Sequence, residues 1–484
     1  MHYPLVAGIL GRLMLVYGLF MVVPLALAIV WREASIGALT ISVLSCLVTG
    51  GVMAFLAPSS GRIGIREGYA TVLGGWLFAS LFGALPYWLG GVMPTYIDAV
   101  FETVSGLTTT GASVIDRLDD VPRSIIFWRS MTHWLGGMGI IVLFIVILPH
   151  IGAGAAHLFK AEVPGPTADR VSPRIRDTAI ALWIIYTILT VAEIVLLMLA
   201  GMSLFDAVNH AFATLATGGF STKDASIKHY DSLAIELIVV LFMIIAGGNF
   251  ALYFQGWQKG WHRVYRDTEF KVYLVIIAAS TFLIAVNLCL AAGEEAGKAL
   301  RVALFQVASI ITTTGFASAD FDAWPPLAKL VLFILMFIGG SAGSTAGGIK
   351  VSRIILLVKQ GWAELKRSLH PRVVVSICVD QKSVEPTVLN TVCQFFFLYM
   401  FTFFAAVLLV AATGLAPFDA MSAVAATLGN VGPGFGVVGP TTTYSSLSPL
   451  AKTVLTLCML LGRLELFTLL VFLRPEFWRA HRNW

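Results

Sequence analysis

Residues 98–114 read DAVFETVSGLTTTGASV, and three later stretches follow the same plan: 206–221 DAVNHAFATLATGGFS, 301–318 RVALFQVASIITTTGFAS and 419–436 DAMSAVAATLGNVGPGFG. Each is a helix-compatible run closing on a Thr- or Val-Gly pair, Thr110-Gly111, Thr217-Gly218, Thr314-Gly315 and Val431-Gly432. The glycines stand 107, 97 and 117 residues apart. Runs of 10–14 apolar residues are too short to cross a bilayer, which takes about 20, and suit re-entrant segments. One such match means little in a chain with 45 glycines. Four matches, each flanked by long apolar runs, make an internal repeat.

Working outward, ten stretches are long and apolar enough to span: near 8–30, 37–57, 69–91, 124–149, 177–201, 232–256, 272–292, 326–349, 386–413 and 450–473. The first runs on into a second span without a small-residue cleavage site and reads as a helix, not a leader. The expected architecture is an all-α polytopic membrane protein with four span–pore helix–loop–span repeats around one pore, preceded by two extra spans. The divisions fall at 1–60, 61–155, 156–258, 259–375 and 376–484. Composition agrees. The chain of 484 residues is 58% hydrophobic and 12% charged, against roughly 25% charged in soluble domains. Five cysteines without a CxxC pair read as small hydrophobes.

Lys and Arg set the orientation. With a cytoplasmic N-terminus, the inside loops hold 20 and the outside loops seven, so both termini are expected in the cytoplasm. This bias accounts for the net charge of +5 without nucleic acid.

Backbone that is neither helix nor barrel is tolerated at membrane depth where it lines a cavity or is buried in protein. Four such loops meeting on a pseudo-fourfold axis can turn carbonyl oxygens inward, and rings of carbonyls replace the hydration shell of a potassium ion. The negative C-terminal ends of the four preceding helices favour a cation there. Asp98, Asp206 and Asp419 precede the glycines by 13, 12 and 13 residues and are read as N-caps, with ordinary capping the simpler role. Arg301-Val302 leaves the third repeat without one.

This four-unit pattern resembles the Trk/Ktr/HKT superfamily of potassium transporters, whose single chain imitates a tetrameric channel. IGGSAGSTAGGIK at 338–350, KAEVPGPTADRVSPRIRDT at 160–178 and GRLELFTLLVF at 462–472 extend the likeness over essentially the whole chain. The two extra N-terminal spans fit the bacterial Trk branch better than the shorter KtrB proteins. The resemblance implies potassium uptake across a bacterial inner membrane, with potassium the transported ion and no cofactor in this chain. It makes Gly111, Gly218, Gly315 and Gly432 filter glycines. Thr109-Thr110, Ala216-Thr217, Thr313-Thr314 and Asn430-Val431 would supply the carbonyl ladder. In the plant branch a serine at the first of these glycines accompanies sodium transport; Gly111 favours potassium. The resemblance also implies a homodimer and a cytosolic nucleotide-binding ring of the TrkA type docked on the basic loops, which otherwise read as phospholipid-facing surface.

Gly339, Gly340, Gly343, Gly347 and Gly348, interleaved with Ser341, Ser344 and Thr345, occupy the eighth span. Each glycine costs a helix about 1 kcal/mol relative to alanine, so the helix should break there. Close helix packing is the plainer alternative; the spacing fails a P-loop because Ile349 precedes Lys350. In the family this stretch is an intramembrane gate. Arg463, about 13 residues into the last span, sits where an arginine costs about 2.5–3.5 kcal/mol to insert, and Glu465 lies on another helix face. It is expected to face the pore beneath the loops and bond to the gate, with snorkelling to the surface the alternative.

Glu102 either attracts cations at the outer mouth or bonds nearby backbone. Glu193 is an intramembrane acid without an assigned partner. His133, His150, His157 and His210 lack metal-site spacing. An enzyme would need clustered acids or a nucleophile–base set; Asp119-Asp120 and Glu294-Glu295 stand in short outer loops without further ligands. The competing transport reading is a sodium- or proton-coupled potassium symporter on the same fold.

Overall fold

A computed structural model of the chain describes residues 1–57, 64–139, 175–380, 382–464 and 466–478. Among these, helix dominates, and the strands form a single short hairpin, Cys378–Val379 against Lys382–Ser383. Residues 160–174 of the 160–178 loop lie outside the described residues, as do His150, His157, Glu465 and residues 140–149 of the 124–149 stretch.

Among the described residues, six helices are long and apolar enough to cross a membrane: Tyr3–Trp31, Ile36–Leu56, Ile65–Leu89, Asp177–Leu199 within Ile175–Leu199, Thr268–Ala292 and Pro386–Ala411. The first two pack so closely that a Cβ on Gly11 would come within 2.7 Å of the Gly50 carbonyl oxygen, the small-residue contact of membrane helices. They lean on the first repeat through the Tyr17 and Trp128 rings, 5.5 Å apart edge-on. Outward faces carry Phe55, Val30, Phe282, Phe397 and Leu408 in the open. Such a wide apolar exterior has a bilayer as its solvent, because in water it would be a liability.

The other four helices of the bundle open each repeat's return, and each stops early. Arg123–Gly137, Leu233–Ala246, Pro326–Leu335 and Pro449–Arg463 are 10 to 15 residues long. The continuous spans expected over 232–256, 326–349 and 450–473 are therefore interrupted. Glycine accounts for the breaks: Gly247-Gly248 separates Leu233–Ala246 from Phe250–Lys259 with a bend of 89°, and the 339–348 glycines end the third. The short descending helices, Tyr96–Leu107, Leu204–Leu215, Ala296–Ile311 and Pro417–Leu428, sit inside the bundle, buried over most of their length. Each lies between the long helix and the broken helix of its repeat.

Candidate ion pathway

Each descending helix ends in the same backbone turn. Two residues past the last helical position, Thr109, Thr217, Thr313 and Asn430 take φ of 54–55°, and two residues further Gly111, Gly219, Gly315 and Gly432 take φ of 78–100°. Between them, the amides of Thr110, Gly218, Thr314 and Val431 donate to Ser105, Ala213, Ser309 and Ala426 carbonyls at 2.8–2.9 Å. This shared hydrogen-bond register corrects the second repeat by one residue. Its ring glycine is Gly219, not Gly218; Gly218 matches Thr110, Thr314 and Val431. Ala216 falls back to the helix C-cap beside Thr108, Thr312 and Gly429. Gly218 is glycine for another reason, since a Cβ there would lie 2.5 Å from the His133 ring. The spacing carried the signal: with Gly219, each aspartate precedes its glycine by a uniform 13 residues.

The four turns close on one another in order. A Cβ on Gly111 would overlap the Gly218 carbonyl oxygen, on Gly219 that of Thr314, and on Gly315 that of Val431. On Gly432 it would stand 2.5 Å from the Thr110 oxygen. Left-handed φ and lack of space both require glycine at these positions. The same four glycines line an outer vestibule of about 160 Å³, with Asp116, Asp224, Arg129 and Lys223 in its wall.

Among the described residues, the carbonyl oxygens of Thr110, Thr314 and Val431 take no hydrogen bond, and that of Gly218 lies beside His133; all four residues are buried. Buried carbonyls are ordinarily paired, so this ring is chemically open to a cation or its water. The side chains are otherwise engaged. The Thr110 hydroxyl meets Thr108 at 2.7 Å and accepts from Asn430 Nδ2 at 2.9 Å, and Thr314 meets Thr312 at 2.7 Å. Asn430, the departure in the fourth loop, thus ties the last repeat to the first, and it also donates to the Met459 carbonyl at 3.0 Å.

At the outer ends the caps differ from expectation. Thr95 and Ser203 are the N-caps, accepting the amides of Asp98 and Asp206 at 3.2 and 3.1 Å. The acids stand three residues on, as in a capping box. Asp98 further pairs with Lys452 at 2.7 Å. Asp419 likewise occupies the third helical position, behind Ala416, which makes no side-chain cap. The third helix starts at Ala296 behind Glu295, and Arg301 instead grips Glu236 with two bonds of 2.7 and 2.9 Å. Glu102 is fully buried beneath the first loop, accepting from Val114 N at 2.9 Å and from Ser113 Oγ at 3.0 Å. It pairs with Arg129 Nε at 2.6 Å, which excludes a free carboxylate at the mouth.

Directly below the ring lies the glycine-rich stretch, which runs as loop from Met336 to Lys350. Gly339 N–H donates to Ile349 at 2.9 Å and Ile349 N–H to Phe337 at 3.0 Å, pinching the loop at its base. The base is close-packed: a Cβ on Gly339 would overlap the Gly347 oxygen, and one on Gly348 would stand 2.9 Å from Gly339 N. Gly340 backs on the Gly247 oxygen and Gly343 on Asn249, while the Ser344 hydroxyl donates to Ser341 at 2.6 Å. The tip reaches three repeats. Thr345 Oγ1 donates to Leu215 at 3.0 Å, Gly347 N–H donates to Thr313 Oγ1 at 2.7 Å, and Gly347 packs under Gly429 and Asn430. Arg463 supplies the fourth contact, donating to the Thr345 carbonyl at 2.7 Å and to the Gly136 and Gly137 carbonyls at 2.6 Å each. Gly462 and Gly136 would each push a Cβ onto the carbonyl ending their own descending helix, Leu428 and Leu107. Arg463 therefore stands where the first repeat has Gly137, turned inward and not snorkelling.

The family profile of TrkH, a cation transport protein, matches residues 36–480. The chain belongs to the TrkH family. It is 41% identical over 486 residues to the Trk system potassium uptake protein TrkH of Halomonas elongata, covering 99% of this chain and 100% of that one. It is 42% identical over 487 residues to TrkH of Escherichia coli K12, with the same coverage. TrkG of the latter organism is 34% identical, covering 99% of both chains. The fold is similar to the crystal structure of the potassium transporter TrkH from Vibrio parahaemolyticus, with a TM-score of 0.89 at 39% identity over 99% of this chain and all of the other.

Within this TrkH-family chain, several residues at the pathway escape a reading by hydropathy. Arg129 and Lys452 are basic residues inside apolar helices, the same signal that exposed Arg463, but each is neutralised by an acid on another helix, 27 and 354 residues away. His133 holds the first and second loops: Nδ1 meets the Gly106 carbonyl at 2.7 Å, and Nε2 accepts Phe220 N–H at 3.2 Å. Its ring stacks on Phe220 with centroids 4.0 Å apart. Glu193 is buried, with neither carboxylate oxygen hydrogen-bonded among the described residues. No cluster of His, Cys, Asp or Glu suited to a metal occurs among them.

Proposed function

We propose that this protein takes up potassium across a bacterial inner membrane through a channel-like pore whose filter is the four-turn ring. The observation that carries this is the closed cycle Gly111–Gly218, Gly219–Thr314, Gly315–Val431 and Gly432–Thr110, in which the carbonyls of Thr110, Thr314 and Val431 take no hydrogen bond among the described residues. The printed names of its relatives, potassium uptake proteins of the Trk system, support the choice of ion. The filter comprises Thr109, Thr110 and Gly111; Thr217, Gly218 and Gly219; Thr313, Thr314 and Gly315; and Asn430, Val431 and Gly432.

The gate is the loop bearing Gly339, Gly340, Gly343, Ser344, Thr345, Gly347 and Gly348, held shut by Arg463. A guanidinium beneath the ring repels a descending cation and fastens the loop to the first repeat. A cytosolic nucleotide-binding partner, whose presence the Trk system name supports, moves the loop from the basic inner surface, and the chain works as a homodimer with both termini inside.

The test is cation flux into proteoliposomes holding this chain, comparing potassium, rubidium, sodium and lithium, with Gly315→Ser in parallel. Potassium and rubidium flux above sodium, degraded by the substitution, is the expected result. Flux that requires a sodium or proton gradient would replace the pore with a coupled symporter.

A further inference from the structure

The segment between the second and third repeats combines features that the transport reading leaves unused. Phe250–Lys259 leaves Leu233–Ala246 at 89°. A helix that turns a right angle away from a membrane-crossing helix runs in the membrane plane. Its exposed side chains, with those of the following short helix His262–Arg266, are of two kinds. Trp257, Trp261 and Tyr265 are 69%, 57% and 69% exposed, and Lys259, Arg263, Arg266 and Lys271 are exposed beside them. The nearby acids are engaged in bonds to backbone: Asp267 accepts Phe270 N–H at 2.7 Å and Asp380 accepts Thr268 N–H at 3.1 Å. Aromatic rings with a polar edge settle at the headgroup level of a bilayer, and an in-plane helix with a cationic face is held there by anionic lipid.

The same segment is bonded to the glycine-rich loop at both ends. At its start, Phe250 N–H donates to the Gly343 carbonyl at 3.2 Å, and Ser341 N–H donates to Gly247 at 2.8 Å. Just past its end, Glu269 Oε1 accepts Ala342 N–H at 2.7 Å and Ser352 N–H at 3.0 Å. Residues 341–343 are thus carried between the two ends of an interfacial strap.

We propose that residues 250–271 bind the headgroups of anionic phospholipids in the inner leaflet, and that this binding draws the 341–343 side of the loop away from the pathway and raises flux. The second half rests on the gating reading above. Charge complementarity and the row of interfacial aromatics favour lipid over a protein partner, whose docking would not require tryptophans at the membrane plane.

The test titrates the purified full chain with phosphatidylglycerol and with phosphatidylcholine and counts retained lipid by native mass spectrometry. The wild type is expected to retain phosphatidylglycerol at least about tenfold better, and K259Q/R263Q/R266Q to lose that preference. K259R/R263K/R266K, which keeps the charge, retains it and controls for folding. Equal retention of both lipids by the wild type, or an unchanged preference in the glutamine variant, would overturn the site. So would a glutamine variant that keeps its lipid but no longer binds a cytosolic partner.

In liposomes, adding phosphatidylglycerol should raise wild-type potassium flux by at least about fivefold and leave the glutamine variant unmoved. Lipid binding with flux indifferent to lipid would overturn the coupling. Absence of potassium flux under every condition would count against the transport reading while leaving the retention result standing.

Discussion

Gly432 lies where a Cβ would stand 2.5 Å from the carbonyl oxygen of Thr110, 322 residues earlier in the chain. That approach closes the fourth repeat onto the first, and without it the loops would form an open arc instead of a ring. The register of the ring is testable at its odd member. Gly219→Ala should cost at least about 1–2 kcal/mol from its left-handed backbone and abolish the preference for rubidium over sodium. Gly218→Ala should fail through His133, so it should cost little further thermal stability in a His133→Ala background, which by itself loses the bonds to Gly106 and Phe220. Recovery of Gly219→Ala by His133→Ala would refute the assignment.

Arg463 joins the loop tip to the first repeat with three hydrogen bonds from a charged donor, each worth about 1.5–3 kcal/mol. Arg463→Gln is expected to raise partner-free potassium flux by at least about tenfold, since about 1.4 kcal/mol suffices for that factor. Unchanged basal flux and unchanged open conductance would remove Arg463 from the gate.

Thr345 fastens the same tip through its hydroxyl, to Leu215 and, at 3.3 Å, to Ala246. Thr345→Val keeps the shape and the carbonyl that receives Arg463 but loses this one O–H donation, shared between the two carbonyls, at about 0.5–1.5 kcal/mol. A smaller rise in basal flux than in Arg463→Gln is predicted, measurable in the same liposome assay.

Glu102 and Arg129 are a buried pair, and removing one partner strands the other at a cost of about 3–5 kcal/mol. Glu102→Ala should therefore lower the midpoint of thermal unfolding in detergent sharply. Glu102→Leu with Arg129→Met should restore part of it, because no charge is then stranded, although Val114 N–H and the Ser221 carbonyl still lose their partners. If the double variant proved as unstable as the single one, the bonds of Glu102 to Val114 N–H and Ser113, and not its charge pairing with Arg129, would set the cost.

The rubidium-to-sodium ratio should also fall in Asn430→Ala, which releases the Thr110 hydroxyl and the Met459 carbonyl together. A ratio equal to that of the wild type would confine Asn430 to packing.

Hydropathy and spacing determined the all-helical membrane class, the four repeats, the short descending helices and the break at 339–348. These depend on the length of apolar runs and on glycine content, which are local properties of a chain. Continuous second spans were expected from hydropathy, yet Gly247-Gly248 and the 339–348 glycines interrupt two of them. An apolar run reports solubility in lipid and not whether its helix is unbroken. The charge inside the bundle belonged to tertiary structure altogether. Glu102 meets Arg129 and Asp98 meets Lys452 only because helices from different parts of the chain pack side by side. The ring was legible as four glycine loops, and its register only through the spacing from the aspartates. Thr217-Gly218-Gly219 offers two adjacent glycines; the 13-residue spacing from Asp206 points to Gly219, but only the packed repeats show that Gly219 leaves room for a neighbouring carbonyl and Gly218 for a histidine ring. That choice is made by contact between repeats, where a few ångströms separate a Cα that fits from a Cβ that does not.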